Sequence, residues 1–323
     1  MSQIIYFIEN SGYYKYVIAA GEGDSDVFFP LGFKNHYIEK LFKLHLAWPI
    51  NKRSDAPYVK IWFNSILKGI NIDPKQDLYI LLAESYHLSY SNNFLNYLKS
   101  KYPDAKLIFC FLNPAGDYNL KKLQKVILNY DAVLTFHKKD AELYGYFYCD
   151  DMPYRLPNID QDDLDNSDVF FVGANKGRLR LLLSIYDKLS NAGLKCDFFI
   201  CGVEKKDQIF REGIVYNKRI SYDEVLKHVK ASKCVLEVLQ NGNNYVSIRT
   251  NEAIQYNKKL LTTNSEIINT SFYNKELVQI FSGDNIDTNF FVKEVASDVY
   301  NNINSNRSFL AMKEYLKTNF KRK

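Results

Sequence analysis

A chain of 323 residues is too long for one comfortable core and suits two domains of about 150 residues each. Its hydrophobic share of 46% beside 24% charged residues is ordinary for a soluble globular protein. The formal net charge of +5 is spread evenly: 18 basic and 16 acidic side chains lie in residues 1–155, and 24 and 21 in the remainder. Neither half is a polycation, so nucleic-acid binding has no electrostatic footprint.

The start, MSQIIYFIENSGYYKY, has no basic region followed by a long apolar one and does not read as a signal peptide. No window approaches the roughly 18 uninterrupted apolar residues of a membrane helix. Cys110, Cys149, Cys196, Cys201 and Cys234 are odd in number and form no CxxC, so neither a zinc site nor a disulfide framework is expected. Buried thiols in a reducing cytoplasm are expected instead.

Residues 2–8, 16–20 and 27–29 read as short strands. Residues 35–47 read as an amphipathic helix with Ile38, Leu41, Phe42 and the 44–46 region inward, stopped by Trp48-Pro49. Another helix is expected at 57–69. From Asp77 strands and helices alternate: strand 78–85, helix 91–102 capped by Ser91, strand 105–113, helix 117–130, strand 131–136 and helix 137–146 ending at Gly145. Such alternation means a parallel sheet with crossover helices. Residues 157–167 are polar and acidic without apolar periodicity and read as a linker.

The alternation then restarts, with strands at 168–172, 196–201, 213–216, 234–239 and 259–263. Helices are expected at 178–191, 221–231 and 250–257, and a last one at 307–320. Ser221 and Glu224 form a capping box, and Asn257 stands where a left-handed C-cap is wanted. The expected organisation is an N-terminal domain (1–156), the linker (157–167), a C-terminal domain (168–306) and a helix with a basic tail (307–323). The tail residues Lys317, Lys321, Arg322 and Lys323 could touch an anionic membrane face.

The run 169–172 stops at Gly173 and is followed by a small basic turn, Ala174 to Arg178, and a helical pattern. Strand, tight turn and helix place free backbone N–H groups and the positive helix end at one spot, where a phosphate would sit. Near residue 240 a second strand leads into QNGNN and a helix with Arg249 before it and Glu252 near its first turn. The stretches FFVGANKGR, CDFFICG, ISYDEVLKHVKASKCVLEVLQNG and RTNEAIQYNKKLLTTN resemble the GT-B-fold bacterial glycosyltransferases that build capsule, exopolysaccharide or lipopolysaccharide chains.

The resemblance implies an α/β protein of two Rossmann-like domains facing a central cleft. It further implies a cytoplasmic, metal-independent hexosyltransferase-like enzyme with no cofactor. A sugar would move from a nucleotide-diphosphate sugar, bound by the second half, to a glycan or lipid-linked acceptor, bound by the first. Gly173, Asn175, Lys176 and Arg178 are the diphosphate candidates in the first turn, and Arg249 and Thr250 in the second, where Ser247 could bind phosphate or only cap the helix. Glu252 would accept hydrogen bonds from both ribose hydroxyls. Related retaining enzymes often carry two glutamates eight positions apart. Here Asn244 stands eight before Glu252, which leaves retaining or inverting outcome open.

An inverting enzyme needs a general base, and ligands bind beyond the carboxyl ends of parallel strands. Glu84 and His87 follow one strand and His137 another, with Tyr86, Asn113 and Asp117 behind them. Two literal DxD stretches, Asp24–Asp26 and Asp163–Asp165, read as solvated loops and not as metal sites. Two alternatives stay open: a non-catalytic binding scaffold of the same fold, and a sugar-nucleotide epimerase. A dehydrogenase is disfavoured because GANKGR does not match G-x-G-x-x-G.

Overall fold

The computed structural model describes residues 2–30, 32–33, 35–46, 57–115, 120–149, 152–160, 164–240, 246–270, 273–296, 299 and 308–320. The chain divides into two compact units, Met1–Arg155 with Asn306–Lys323, and Leu156–Ser305.

The first unit runs β1 (Ser2–Phe7), α1 (Tyr14–Gly21), β2 (Val27–Phe28) and α2 (His36–Leu46). A 3-10 turn, Pro57–Trp62, leads into α3 (Phe63–Ile66). Then come β3 (Asp77–Ala83), α4 (Asn92–Lys101), β4 (Lys106–Phe111), α5 (Leu120–Ile127), β5 (Ala132–Thr135), α6 (Lys138–Tyr144) and β6 (Phe147–Tyr148). The six strands form one parallel sheet in the order β2-β1-β3-β4-β5-β6. Alternate residues face opposite sides of a strand. Ile5, Phe7, Ile80, Leu82, Phe109 and Phe111 accordingly share one core with Phe42, Phe63, Phe94, Leu98 and Leu123 of α2 to α5.

Two expectations fail here. Residues 16–20 are helical, inside α1, because β1 and β2 pair in parallel and need a crossover between them; Tyr16, Val17 and Ile18 are buried. Helix α2 is present, but only Phe42 of its expected inward set is buried; Ile38, Leu41 and Leu44 are 41%, 46% and 51% exposed. The N-cap at Ser91 is found, its side chain accepting from Phe94 N, and Gly145 closes α6 at φ +70°. The last helix, Phe309–Asn319, packs on this unit. Phe309 meets Phe29 edge to face, and Lys313 Nζ contacts both Asp24 carboxylate oxygens at 2.8 and 3.0 Å. Asp24 is therefore ion-paired and does not sit in a merely solvated loop. In the other DxD stretch Asp163 lies outside the described residues, and Asp165 is 3.6 Å from Lys195.

The second unit runs β7 (Ser167–Ala174), α7 (Leu179–Asn191), β8 (Cys196–Cys201), β9 (Ile214–Tyr216), α8 (Tyr222–Ala231), β10 (Ser232–Glu237), α9 (Ile248–Gln255), β11 (Lys259–Thr262), β12 (Val278–Ile280) and α10 (Asn289–Val292). Its parallel sheet is ordered β12-β11-β10-β7-β8-β9. Leu182, Ile185 and Leu189 of α7 cover one face through Val169, Phe171, Phe198 and Leu236. Val225 and Val229 of α8 and Ala253 of α9 cover the other through Phe170, Phe199, Val235 and Leu260. Ser221 caps α8 by accepting from Glu224 N, and Asn257 is left-handed at φ +53°. Strand β7 continues two residues further than the apolar run suggested, so Gly173 is a strand residue opposite Ile200. All five cysteines are free and four are buried.

Candidate functional site

In a doubly wound sheet a ligand sits beyond the carboxyl ends of the strands where the order reverses. In the second unit that point lies between β7 and β10, since the chain builds outward from β7 to β8 and β9, then returns to β10.

The turn after β7 is held from both sides. Asn175 N donates to Cys201 O at 2.7 Å, and its side-chain Oδ1 accepts from Leu179 N at 2.8 Å, capping α7. Lys176 and Gly177 follow at φ +42° and +80°. Two consecutive left-handed residues, one of them a lysine, are uncommon, and they produce the sharp entry to α7. Lys176 is exposed, with Nζ 3.4 Å from Gln240 Oε1. Arg178 turns inward: its guanidinium donates to Ala174 O (2.6 Å), Asn175 O (3.3 Å) and Val238 O. It ties the end of β7 to the chain leaving β10. A Cβ on Gly173 would lie 3.1 Å from Phe171 Cζ, so this glycine relieves packing beneath the turn.

Ser247 is the N-cap of α9, accepting from Arg249 N at 3.0 Å. Its hydroxyl also donates to Glu237, as do Thr250 Oγ1 at 3.0 Å and Thr262 Oγ1. Glu237 ends β10 and is 2% exposed. Burial raises its pKa, while the three hydroxyls and Arg249 oppose the rise. Glu252, one helical turn into α9, is fully buried. Tyr222 OH donates to its Oε1 at 2.7 Å, and Arg249 Nη1 pairs with its Oε2. Burial raises its pKa too; Arg249 and Tyr222 lower it and Glu237 raises it further. The expected ribose acceptor is thus engaged within the protein on both oxygens. Asn244 lies outside the described residues.

Glu237 was missed on sequence, although a lone carboxylate in the apolar run CVLEVL is an odd feature that could have flagged it. With Arg249 it joins Glu252 in a buried cluster of one cation and two carboxyls. Thr250, expected on the diphosphate, is fully buried on Glu237, and Ser247 acts as a cap.

In the first unit the order reverses between β1 and β3. A cavity of about 480 Å³ opens there, lined by Ile8, Glu9, Asn10 and Ser11 after β1, by Glu39, Phe42 and Lys43 of α2, and by Tyr86 and His87 after β3. His87 is half-buried, and burial lowers its pKa below the usual 6.5, favouring the neutral imidazole. Glu84 and His137 are placed differently. Glu84 is 4% exposed; its oxygens accept from Leu112 N (2.8 Å), Asn113 N (3.2 Å) and Asn113 Nδ2 (2.8 Å). His137 is 6% exposed, with Nε2 3.3 Å from Leu112 O. Both brace the Leu112–Asn113 turn, and of the three expected bases only His87 lines the cavity. Glu9 lines it as well; sequence reasoning passed over it, though it follows β1 as Glu84 follows β3. Asp117 lies outside the described residues. Among the described residues no cluster of three His, Cys, Asp or Glu side chains could hold a metal ion.

The class this defines is a chain of two doubly wound α/β units, each with a built switch point. No protein-family model matches the chain, and no curated protein is significantly similar to it in sequence. Solved structures are similar in fold. AviGT4, a glycosyltransferase involved in avilamycin A biosynthesis, is 10% identical with a TM-score of 0.51, covering 98% of each chain. The Anabaena protein Alr3699/HepE, in complex with UDP and glucose, is 11% identical with a TM-score of 0.50, covering 98% of this chain and 96% of its own. A protein assigned as a UDP-N-acetylglucosamine 2-epimerase from Listeria monocytogenes is 10% identical with a TM-score of 0.46, covering 99% and 96%. At these identities the likeness is one of fold: the chain has the GT-B architecture of two Rossmann-like domains.

Proposed function

We propose that the protein is a glycosyltransferase that takes a sugar from a nucleotide-diphosphate donor in the second unit. The observation that carries this reading is the turn Asn175–Arg178 at the switch point of β7 and β10. It is a left-handed basic turn opening a helix, with Arg249 at the start of the neighbouring helix α9. Backbone N–H groups and cations at that point suit a departing diphosphate. Lys176 and Arg249 are assigned to the diphosphate. Arg178, Ser247, Thr250 and Glu252 position them. Ribose binding by Glu252 requires it to exchange Tyr222 for the nucleotide.

In the reaction the bond from the sugar C1 to the diphosphate oxygen breaks and the nucleoside diphosphate leaves with its electron pair. A bond from C1 to the acceptor oxygen forms, and the acceptor hydroxyl loses its proton. His87, neutral near pH 7, is the base this reading assigns. The acceptor is a glycan or lipid-linked glycan of bacterial surface polysaccharide synthesis in the cytoplasm, a reading supported by the resemblance of residues 168–264; the UDP and glucose bound in the HepE structure support the donor side. No metal is assigned a role.

A second reading has an observation in its favour. Arg178, Ser247 and Glu252 all have partners inside the protein, as a binding scaffold that kept the fold would show. Thermal stability against a panel of nucleoside diphosphates and their sugars, without metal, separates the two. A ligand at 100 times its Kd adds about 2.7 kcal/mol. Stabilisation of the wild type and not of Lys176→Ala or Arg249→Ala supports the transferase. No shift at millimolar nucleotide leaves the scaffold.

A further inference from the structure

Helix α2 has two apolar sides, and among the described residues only one is packed. Phe42 is buried against Phe33 and Trp62, with ring centroids 5.2 and 5.6 Å away, and Leu46, one turn on, packs against the same core. Tyr37, Leu41 and Leu44 recur at i, i+4 and i+7 on a different arc, joined by Ile38 at i+3 from Leu41. These four are 80%, 46%, 51% and 41% exposed. Scattered exposed apolar residues need no explanation, but four on one stripe of an eleven-residue helix form a patch.

The charge around the patch says what it fits. Lys40 flanks the stripe, three residues from Tyr37 and four from Leu44, and is exposed. Lys43 follows on the next turn, paired with Glu39 at 2.6 Å yet 71% exposed. Along the described helix Lys40 and Lys43 stand against Glu39, two cations to one anion. An apolar stripe bordered by lysines is the pattern of a helix lying in the plane of an anionic lipid surface.

We infer that α2 is a membrane-docking helix, seating Tyr37, Ile38, Leu41 and Leu44 in the headgroup region of an anionic bilayer. The same helix borders the first unit's cavity through Glu39, Phe42 and Lys43, so docking would bring that cavity to the lipid surface. The inference does not depend on the sugar-transfer reading, because vesicle binding is read without nucleotide.

The test is flotation of the full chain with phosphatidylcholine vesicles, with and without roughly a third phosphatidylglycerol. The wild type is expected to float with the anionic vesicles only and to be released by high salt. Leu41→Glu with Leu44→Glu should weaken binding about tenfold or more. Tyr37→Ser and Lys40→Glu should each weaken it less, all with unchanged melting temperatures, since these side chains are exposed. Lys321→Ser with Arg322→Ser and Lys323→Ser should leave most of the binding. No vesicle binding, equal binding to neutral vesicles, or loss only in the tail variant overturns the inference. So does a wild-type dimer that Leu41→Glu with Leu44→Glu dissociates in sedimentation velocity without any effect on vesicles.

Discussion

The guanidinium of Arg178 donates to the carbonyl of Val238, sixty residues away, and so joins the turn after β7 to the chain leaving β10 across the switch point. Two further carbonyls, of Ala174 and Asn175, take other N–H groups of the same side chain. A planar fork does this; an ammonium cannot reach three separate acceptors in that geometry.

Arg178→Lys should therefore destabilise the protein by about 1–3 kcal/mol, the range for leaving partly buried carbonyls without their donors. Urea unfolding of the two proteins measures it. A variant as stable as the wild type would mean that water or the turn itself satisfies those carbonyls, and that the three bonds of Arg178 contribute little to stability.

Glu237 gives a pH prediction. Its folded pKa is raised above the ordinary 4.5, chiefly by burial, so the folded chain holds a proton that the unfolded chain has lost. Where the folded state binds more protons, stability falls as pH rises. The contribution of Glu237 is fully present below about 4.5 and is lost as pH climbs through its raised folded value. Glu237→Gln keeps an acceptor for Ser247 and Thr250 and has no proton to lose. Melting curves from pH 4 to 8 should show the wild type declining relative to Glu237→Gln as pH increases. A constant difference across the range would rule out the raised value.

Much of this architecture is legible in the sequence because it is local. Ser91, Ser221 and Asn257 act within four residues of where they stand, and each cap is where the sequence places it. The parallel sheets follow from strands alternating with amphipathic helices. Residues 16–20 mislead because a short buried helix and a short buried strand are equally apolar, and only the parallel pairing of β1 with β2 decides. The stripe of α2 is visible as a period, but which arc meets the core depends on Phe33 and Trp62. Strands β6 and β12, of two and three residues at sheet edges, are too short to carry a pattern. The Glu237 cluster is the least legible part, since its donors come from 10, 13 and 25 residues further along.

If His87 takes the acceptor proton, activity should follow its titration. Its pKa lies below 6.5, so the base form dominates at neutral pH and the acid limb of kcat/KM should fall only below that value. His87→Gln should lower kcat about a hundredfold or more while leaving nucleotide binding intact. An acid limb that survives in His87→Gln would assign the base elsewhere, with Glu9 next to be tested.

Tyr6 separates a structural group from a functional one. It is fully buried in β1, and its hydroxyl has no hydrogen-bond partner among the described residues. Burial pushes its pKa well up, with Cys110 and Glu84 adding to the rise, so it stays protonated at any working pH. A buried hydroxyl with no partner costs desolvation without return, and removing it leaves the ring's packing intact. Tyr6→Phe should thus be as stable as the wild type or more stable by up to about 1 kcal/mol. A loss of more than that on chemical unfolding would show that the hydroxyl bonds a buried water, and would place an ordered solvent site beneath the sheet end that carries Glu84.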